Sequence, residues 1–158
     1  MPKQYTNEIT PEIRESFSQP PYGEDFFALC DNQTRDALEK INQRATTYAL
    51  THMFRFAVVG SLTRNGGVLQ YASGNSTAGG YLMARVGDNV VYADGSEATI
   101  ISGAGNARIM QGASAALVGS MLDNGDAIIS TPQSRTKLVF REGDALPEGL
   151  LTIPGSKH

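Results

Sequence analysis

The rhythm of hydrophobic and polar positions changes about a third of the way along the chain. Ala37, Leu38, Ile41, Ala45, Tyr48 and Ala49 return at the three-and-four spacing of one helical face, predicting an amphipathic helix over about 33–51 with its start signal at Asp31 or Asn32. Its polar side carries Arg35, Glu39, Gln43 and Arg44, and the four-residue step from Arg35 to Glu39 predicts an ion pair. Upstream, Thr10-Pro11-Glu12 offers an N-cap residue, a proline at the first helical position and an early acid, predicting a short helix to about Ser18 that Gln19-Pro20-Pro21-Tyr22-Gly23 ends. Between the helices, Phe26-Phe27-Ala28-Leu29 is either a buried plug or an exposed anchor. From Phe54 the period falls to two, with Phe54, Phe56 and Val58 assigned to one face and Arg55 and Ala57 to the other.

From Ala57 to Gln133 one pattern occurs three times, as AVVGSLTRNGGVLQYASG, ARVGDNVVYADGSEATIISGAG and ALVGSMLDNGDAIISTPQ. Each copy opens Ala-x-Val-Gly-[Ser/Asp], passes a turn dipeptide and leaves in a β-branched run. The framework pairs are Val59-Gly60, Val86-Gly87 and Val118-Gly119, and the turn pairs are Asn65-Gly66, Asp94-Gly95 and Asn124-Gly125. An Asn-Gly or Asp-Gly pair between apolar segments predicts a hairpin with a type I′ turn, left-handed at both central residues. The framework glycines stand 27 and 32 residues apart, too uneven for a solenoid, so the three copies are expected to close on one another, with the insertions in the connections. The organisation predicted is mainly β: three pseudo-equivalent β-hairpin repeats over 54–133, preceded by an α-helical N-terminal extension over 1–53. An extended tail follows over 134–158, with one more strand at Lys137-Leu138-Val139-Phe140.

Ala84-Arg85-Val86-Gly87-Asp88 followed by Thr99-Ile100-Ile101-Ser102-Gly103 resembles the PAAR-repeat family, the tip proteins of type VI secretion systems and related contractile injection machines. The tetrapeptide that names the family stands here as Leu82-Met83-Ala84-Arg85 and Ser114-Ala115-Ala116-Leu117. The resemblance implies a small conical β structure and a non-enzymatic tip that caps and sharpens a trimeric, VgrG-like spike, one copy per trimer. It also implies attachment or recruitment of effectors, with an effector or chaperone docking through the N-terminal helix. Asn65, Gly66, Asp94, Gly95, Asn124 and Gly125 would then lie at the apex, and the opposite strand ends would form a base. Family members commonly hold histidine or cysteine before the turn glycine, three histidines and one cysteine binding zinc. The matching positions here are Asn65, Asp94 and Asn124, and one carboxylate with two amides does not make a tetrahedral zinc site. His52, His158 and Cys30 lie outside the repeats without ligand spacing, so neither zinc nor another cofactor is expected, a weak oxygen-ligated cation among Asn65, Asp94 and Asn124 being the alternative.

Charge and composition narrow the function further. A net charge of −3 offers no basic field for nucleic acid or anionic membrane, and a single cysteine excludes an internal disulfide. No apolar run has the length of a membrane span, and the opening MPKQYTNEITPEIRESF lacks a signal-peptide core, predicting synthesis in the cytoplasm and export by the injection machine itself. No nucleophile, base or phosphate loop is recognisable, so no catalytic residue is assigned. The alternative class is a secreted β-rich binding or adaptor module, an effector carrier or carbohydrate binder not tied to a spike. With few aromatics in the repeats, the helices are expected to supply burial that the repeats lack.

Overall fold

The computed structural model describes residues 3–151. The expectations for Thr152-Ile153-Pro154 and for His158 lie outside them. Three helices come first: α1 Pro11–Ser18, α2 Glu24–Phe27 and α3 Asn32–Thr47. Ten short strands follow, β1 Leu50–Arg55, β2 Leu62–Thr63, β3 Thr77–Ala78, β4 Tyr81–Leu82, β5 Asn89–Val91, β6 Glu97–Thr99, β7 Ile109–Met110, β8 Ala113–Ser114, β9 Ile128–Ser130 and β10 Lys137–Arg141. The protein is thus mainly β with a helical N-terminal region, as its patterning predicts. Among the described residues, 3–7, 54–138 and 146–151 form one compact unit, and 8–53 with 139–145 form a second.

In the helical unit the start signals act as predicted. Thr10 Oγ1 accepts the Ile13 N–H at 3.2 Å, and Asp31 Oδ1 accepts the Thr34 N–H at 2.7 Å, each filling one of the orphan donors of a first turn. Helix α3 stops earlier than its periodicity suggests, at Thr47, because Tyr48 is already extended and β1 begins at Leu50 to pair with β10. Its expected apolar face is only partly covered: Ala45 is buried, whereas Ile41 and Tyr48 are exposed. Arg35 donates to the Phe27 carbonyl at 3.1 Å rather than to Glu39, and the Phe26-to-Leu29 segment runs from the end of α2 into a turn, with Phe26 and Leu29 facing solvent. Arg141 joins this unit by donating to the Phe17 and Tyr48 carbonyls at 2.7 and 3.0 Å, and Arg44 pairs with Asp144.

In the repeat unit one hydrogen-bond scheme is written three times and closes on itself. The Ala57 N–H donates to the Ala116 carbonyl at 2.9 Å, Ala116 to Ala84 at 2.9 Å and Ala84 to Ala57 at 3.0 Å. A second ring lies beside it, from Val59 to Leu82, Val86 to Ser114 and Val118 to Arg55, at 2.9, 2.8 and 2.8 Å. These rings explain the motif residue by residue. The three alanines have 0 % exposure and share one apolar cluster with Leu69, Ile100, Leu122 and Ile128, so packing fixes their size. The glycines turn the chain at φ of 101°, 103° and 104°, a region closed to most side chains. The Ser or Asp that follows accepts the N–H three residues back: Ser61 from Val58 at 3.0 Å, Asp88 from Arg85 at 2.9 Å and Ser120 from Leu117 at 2.9 Å.

Beyond the glycines, the outgoing segment of each copy pairs with the incoming segment of the next. Val68 bridges Val91, Ile100 bridges Leu122, and β9 returns to β2 with Leu62 opposite Ser130 and Thr63 opposite Ile128. The ladder runs from copy one to two to three and back to one, leaving no open edge within the ring. On the other side of the alanines, hairpins β3–β4 and β7–β8 precede the second and third copies.

Two expectations are corrected here. Alternation does not describe residues 54–58, since Arg55 is 5 % exposed and Ala57 0 %. The covering comes from residues 3–7: Asn7 Oδ1 accepts the Arg55 N–H at 2.8 Å, the guanidinium donates to the Thr6 carbonyl, and it lies 5.6 Å from the Tyr5 ring centre. Nor do the helices supply the repeat core, whose two buried clusters are drawn from residues 54–151, with Leu138, Leu150 and Leu151 flanking the second.

Candidate functional site

Three turns carry the positions singled out in the sequence. In each, the glycine N–H closes back on the residue three before it: Gly66 on Thr63 at 3.2 Å, Gly95 on Tyr92 at 2.9 Å and Gly125 on Leu122 at 3.0 Å. Thr63, Tyr92 and Leu122 then donate to the carbonyls of Gly67, Ser96 and Asp126, making three-residue loops. The type I′ expectation is therefore wrong. Only Gly66, Gly95 and Gly125 are left-handed, at φ of 89°, 86° and 87°, while Asn65, Asp94 and Asn124 stay at negative φ, because a three-residue hairpin loop needs one left-handed residue at its end. The Asx residues contribute through side-chain bonds instead: Asp94 Oδ1 accepts from the Ser96 N–H and hydroxyl at 2.9 and 2.6 Å, and Asn124 Oδ1 accepts the Asp126 N–H at 3.0 Å.

The turns meet. Asn65, Gly66, Tyr92, Asp94, Ser96 and Asn124 line one open depression of about 430 Å³, with Ala93 at its rim. Beneath it lies Asp126, fully buried, the residue after the third turn glycine. Its Oδ2 accepts the Tyr92 hydroxyl at 2.7 Å, and its Oδ1 accepts the Ala127 and Asn65 N–H groups at 2.8 and 3.2 Å. Asn124 Nδ2 donates to the same Tyr92 oxygen at 3.0 Å. Burial pushes the Asp126 carboxyl up, but bonds from Thr63, Tyr92, Ala127 and Asn65 outweigh it and hold the group below the ordinary carboxylate value. For Tyr92, burial first and then the neighbouring carboxylate raise the phenol.

Zinc of the kind the resemblance implies does not fit these residues. Asp94 Oδ1, Asn124 Oδ1 and both Asp126 oxygens already accept N–H and O–H donors of the turns themselves. Among the described residues, no group of three or more His, Cys, Asp or Glu comes together as a metal needs. Asp126, Tyr92 and Thr63 were not singled out by sequence reasoning. The available signal was the residue after each turn glycine, which reads Gly67, Ser96 and then a buried-position acid.

The opposite end carries the hairpins β3–β4 and β7–β8, turning at Gly79-Gly80 and Gln111-Gly112. Each shows one exposed apolar side chain, Leu82 on the first and Ile109 on the second. Arg85 braces this end by donating to the Met110 and Gln111 carbonyls at 3.0 and 3.1 Å. Ser73 ties it to the framework through Asp88, at 2.5 Å. Among the described residues, no helix is long and apolar enough to cross a membrane.

No curated protein and no solved structure matches the chain. The family model described as PAAR motif matches residues 59–130, the span that holds the framework glycines and all three turns. That family is a structural one of spike tips in contractile injection systems. The motif's three copies and their closed ring agree with the match, and residues 59–130 carry the PAAR motif.

Proposed function

We propose that this chain is a non-enzymatic tip that caps a trimeric, VgrG-like spike as one copy per trimer, with the depression at the Asx-Gly turns pointing away from the spike. One observation carries the reading: the mutual hydrogen bonds of Ala57, Ala84 and Ala116 give a single chain an approximate threefold axis. A monomer with such an axis presents similar surfaces in three directions, and so matches the end of a homotrimer without forming a trimer. The base is the end of β3–β4 and β7–β8, where Leu82 and Ile109 offer apolar contact beside open strand edges. Effector or chaperone attachment falls to residues 8–53, where Phe26 and Leu29 are exposed, and delivery outside the cell follows from riding on the spike.

The test is binding to the spike protein, with stoichiometry read by native mass spectrometry or cryo-electron microscopy. Gly79→Glu is a poor probe, because a side chain there would put its Cβ 2.7 Å from the Gln133 Cβ at φ +59°. Leu82→Glu combined with Ile109→Glu is the better one, since both side chains are exposed. The double variant should lose binding while melting with the parent, and Asn65→Ala should keep it. Three copies per trimer, or loss of binding by Asn65→Ala alone, would refute the assignment.

A further inference from the structure

We propose that the Asp126 carboxylate closes the turn end of the repeat unit in place of a metal ion, so that this unit reaches its folded form without metal loading. The inference uses the PAAR match only for the contrast with zinc and is independent of the spike reading.

A metal at the meeting point of three loops works by taking ligands from each of them. Asp126 does the same with hydrogen bonds. From its own copy it takes the Ala127 N–H at 2.8 Å, from the second copy the Tyr92 hydroxyl at 2.7 Å, and from the first the Asn65 N–H at 3.2 Å. Thr63 of the first copy adds a side-chain bond. A carboxylate has about four lone-pair sites, and here the donors that fill them come from all three repeats. The group has 0 % exposure, so these are charge-assisted bonds out of water, the strong kind. The partners that the described residues give it are N–H and O–H donors, as an anion is held in a nest of N–H groups. The second copy supplies the one long reach, Tyr92, at a position where the other copies carry Thr63 and Leu122. Asn124 fixes that reach by donating to the Tyr92 oxygen at 3.0 Å, so the phenol proton is directed to Asp126.

The experiment is thermal melting of the full chain, purified without chelator, in parallel with elemental analysis. The parent should carry no stoichiometric zinc and melt at the same temperature with excess EDTA or with added zinc. Asp126→Ala should lower the melting temperature by roughly 6–12 °C, the range expected when several charge-assisted bonds are lost from a chain of this length. Tyr92→Phe should lower it less, and its effect should shrink in the Asp126→Asn background, because the two groups share one bond. If Asp126→Ala does not fold, the pair Tyr92→Phe and Asp126→Asn still reports the coupling. About one zinc per chain, a drop in melting temperature with EDTA, or additive effects of Tyr92→Phe and Asp126→Asn would each overturn the proposal.

Discussion

The two units of this protein are held together in different ways. In the helical unit most of the bonding is local: Thr10 and Asp31 cap their helices and Asn42 exchanges hydrogen bonds with the Tyr22 backbone, while Arg141 is the distant addition that collects free carbonyls. Its helices bury one residue, Ala45, and leave Phe26, Leu29 and Ile41 in water. In the repeat unit the local hairpins β3–β4, β5–β6 and β7–β8 are joined by pairings between copies. Strands of two or three residues are too short to stand alone, and bridges such as Val68 to Val91 and Ile100 to Leu122, with β9 returning to β2, tie one copy to the next. The contrast teaches that short, glycine-rich segments suffice for a fold when the pairings between copies close in a ring, whereas well-capped helices do not of themselves make a core.

Substitutions should break the two units in proportion to this difference. The largest effect is expected from Ile100→Ala, which empties a fully buried position in the shared cluster and should cost about 3–4 kcal/mol in chemical denaturation. Next comes Ala84→Leu, which forces three extra carbons against the alanine ring and should cost about 2–3 kcal/mol, read in the same way. Both should leave the far-ultraviolet helical signal less affected than the near-ultraviolet one.

A pH scan sharpens the comparison at the turn end. Asp126 titrates below the 3.8 of a free carboxyl, so its contribution is complete above that value and is lost as the pH falls through the lower folded value. The acid limb of a melting-temperature profile should therefore flatten in Asp126→Asn. An unchanged limb would show that Asp126 is not among the groups that set acid stability.

Smaller still, Thr10→Ala should cost about 1 kcal/mol by removing a cap. Ile41→Ser, on an exposed helical position, should change stability by no more than about 0.5 kcal/mol. A large loss from Ile41→Ser would mean that this face is covered in solution, which a sedimentation measurement would check.

What could be read from the sequence follows the same division. The helix starts were legible because caps are local chemistry, and the repeat was legible because three copies of Ala-x-Val-Gly-[Ser/Asp] share one backbone task. The turn type was not, since Asn-Gly fits a two-residue and a three-residue loop alike and the choice is made by the pairing of Thr63 with Gly67 and its counterparts. The burial of Arg55 was illegible because its cover, Tyr5 to Asn7, arrives from 48 residues upstream in the case of Asn7. Asp126 was passed over because an acid after a turn glycine looks solvated until three loops are brought over it.

The alanine ring also has a consequence in time. Two copies alone leave one N–H and one carbonyl of the triad without partners, and the β2–β9 pairing waits for Ile128. A nascent chain that has released Ala57 and Ala84 can form the β5–β6 hairpin but cannot close the ring until Ala116 follows. Loop closure over these distances precedes most of the energetic return, which slows folding and makes it all-or-none. The helical unit has finished most of its local bonding by then, so on the ribosome the order of assembly is set by where the third alanine stands in the message.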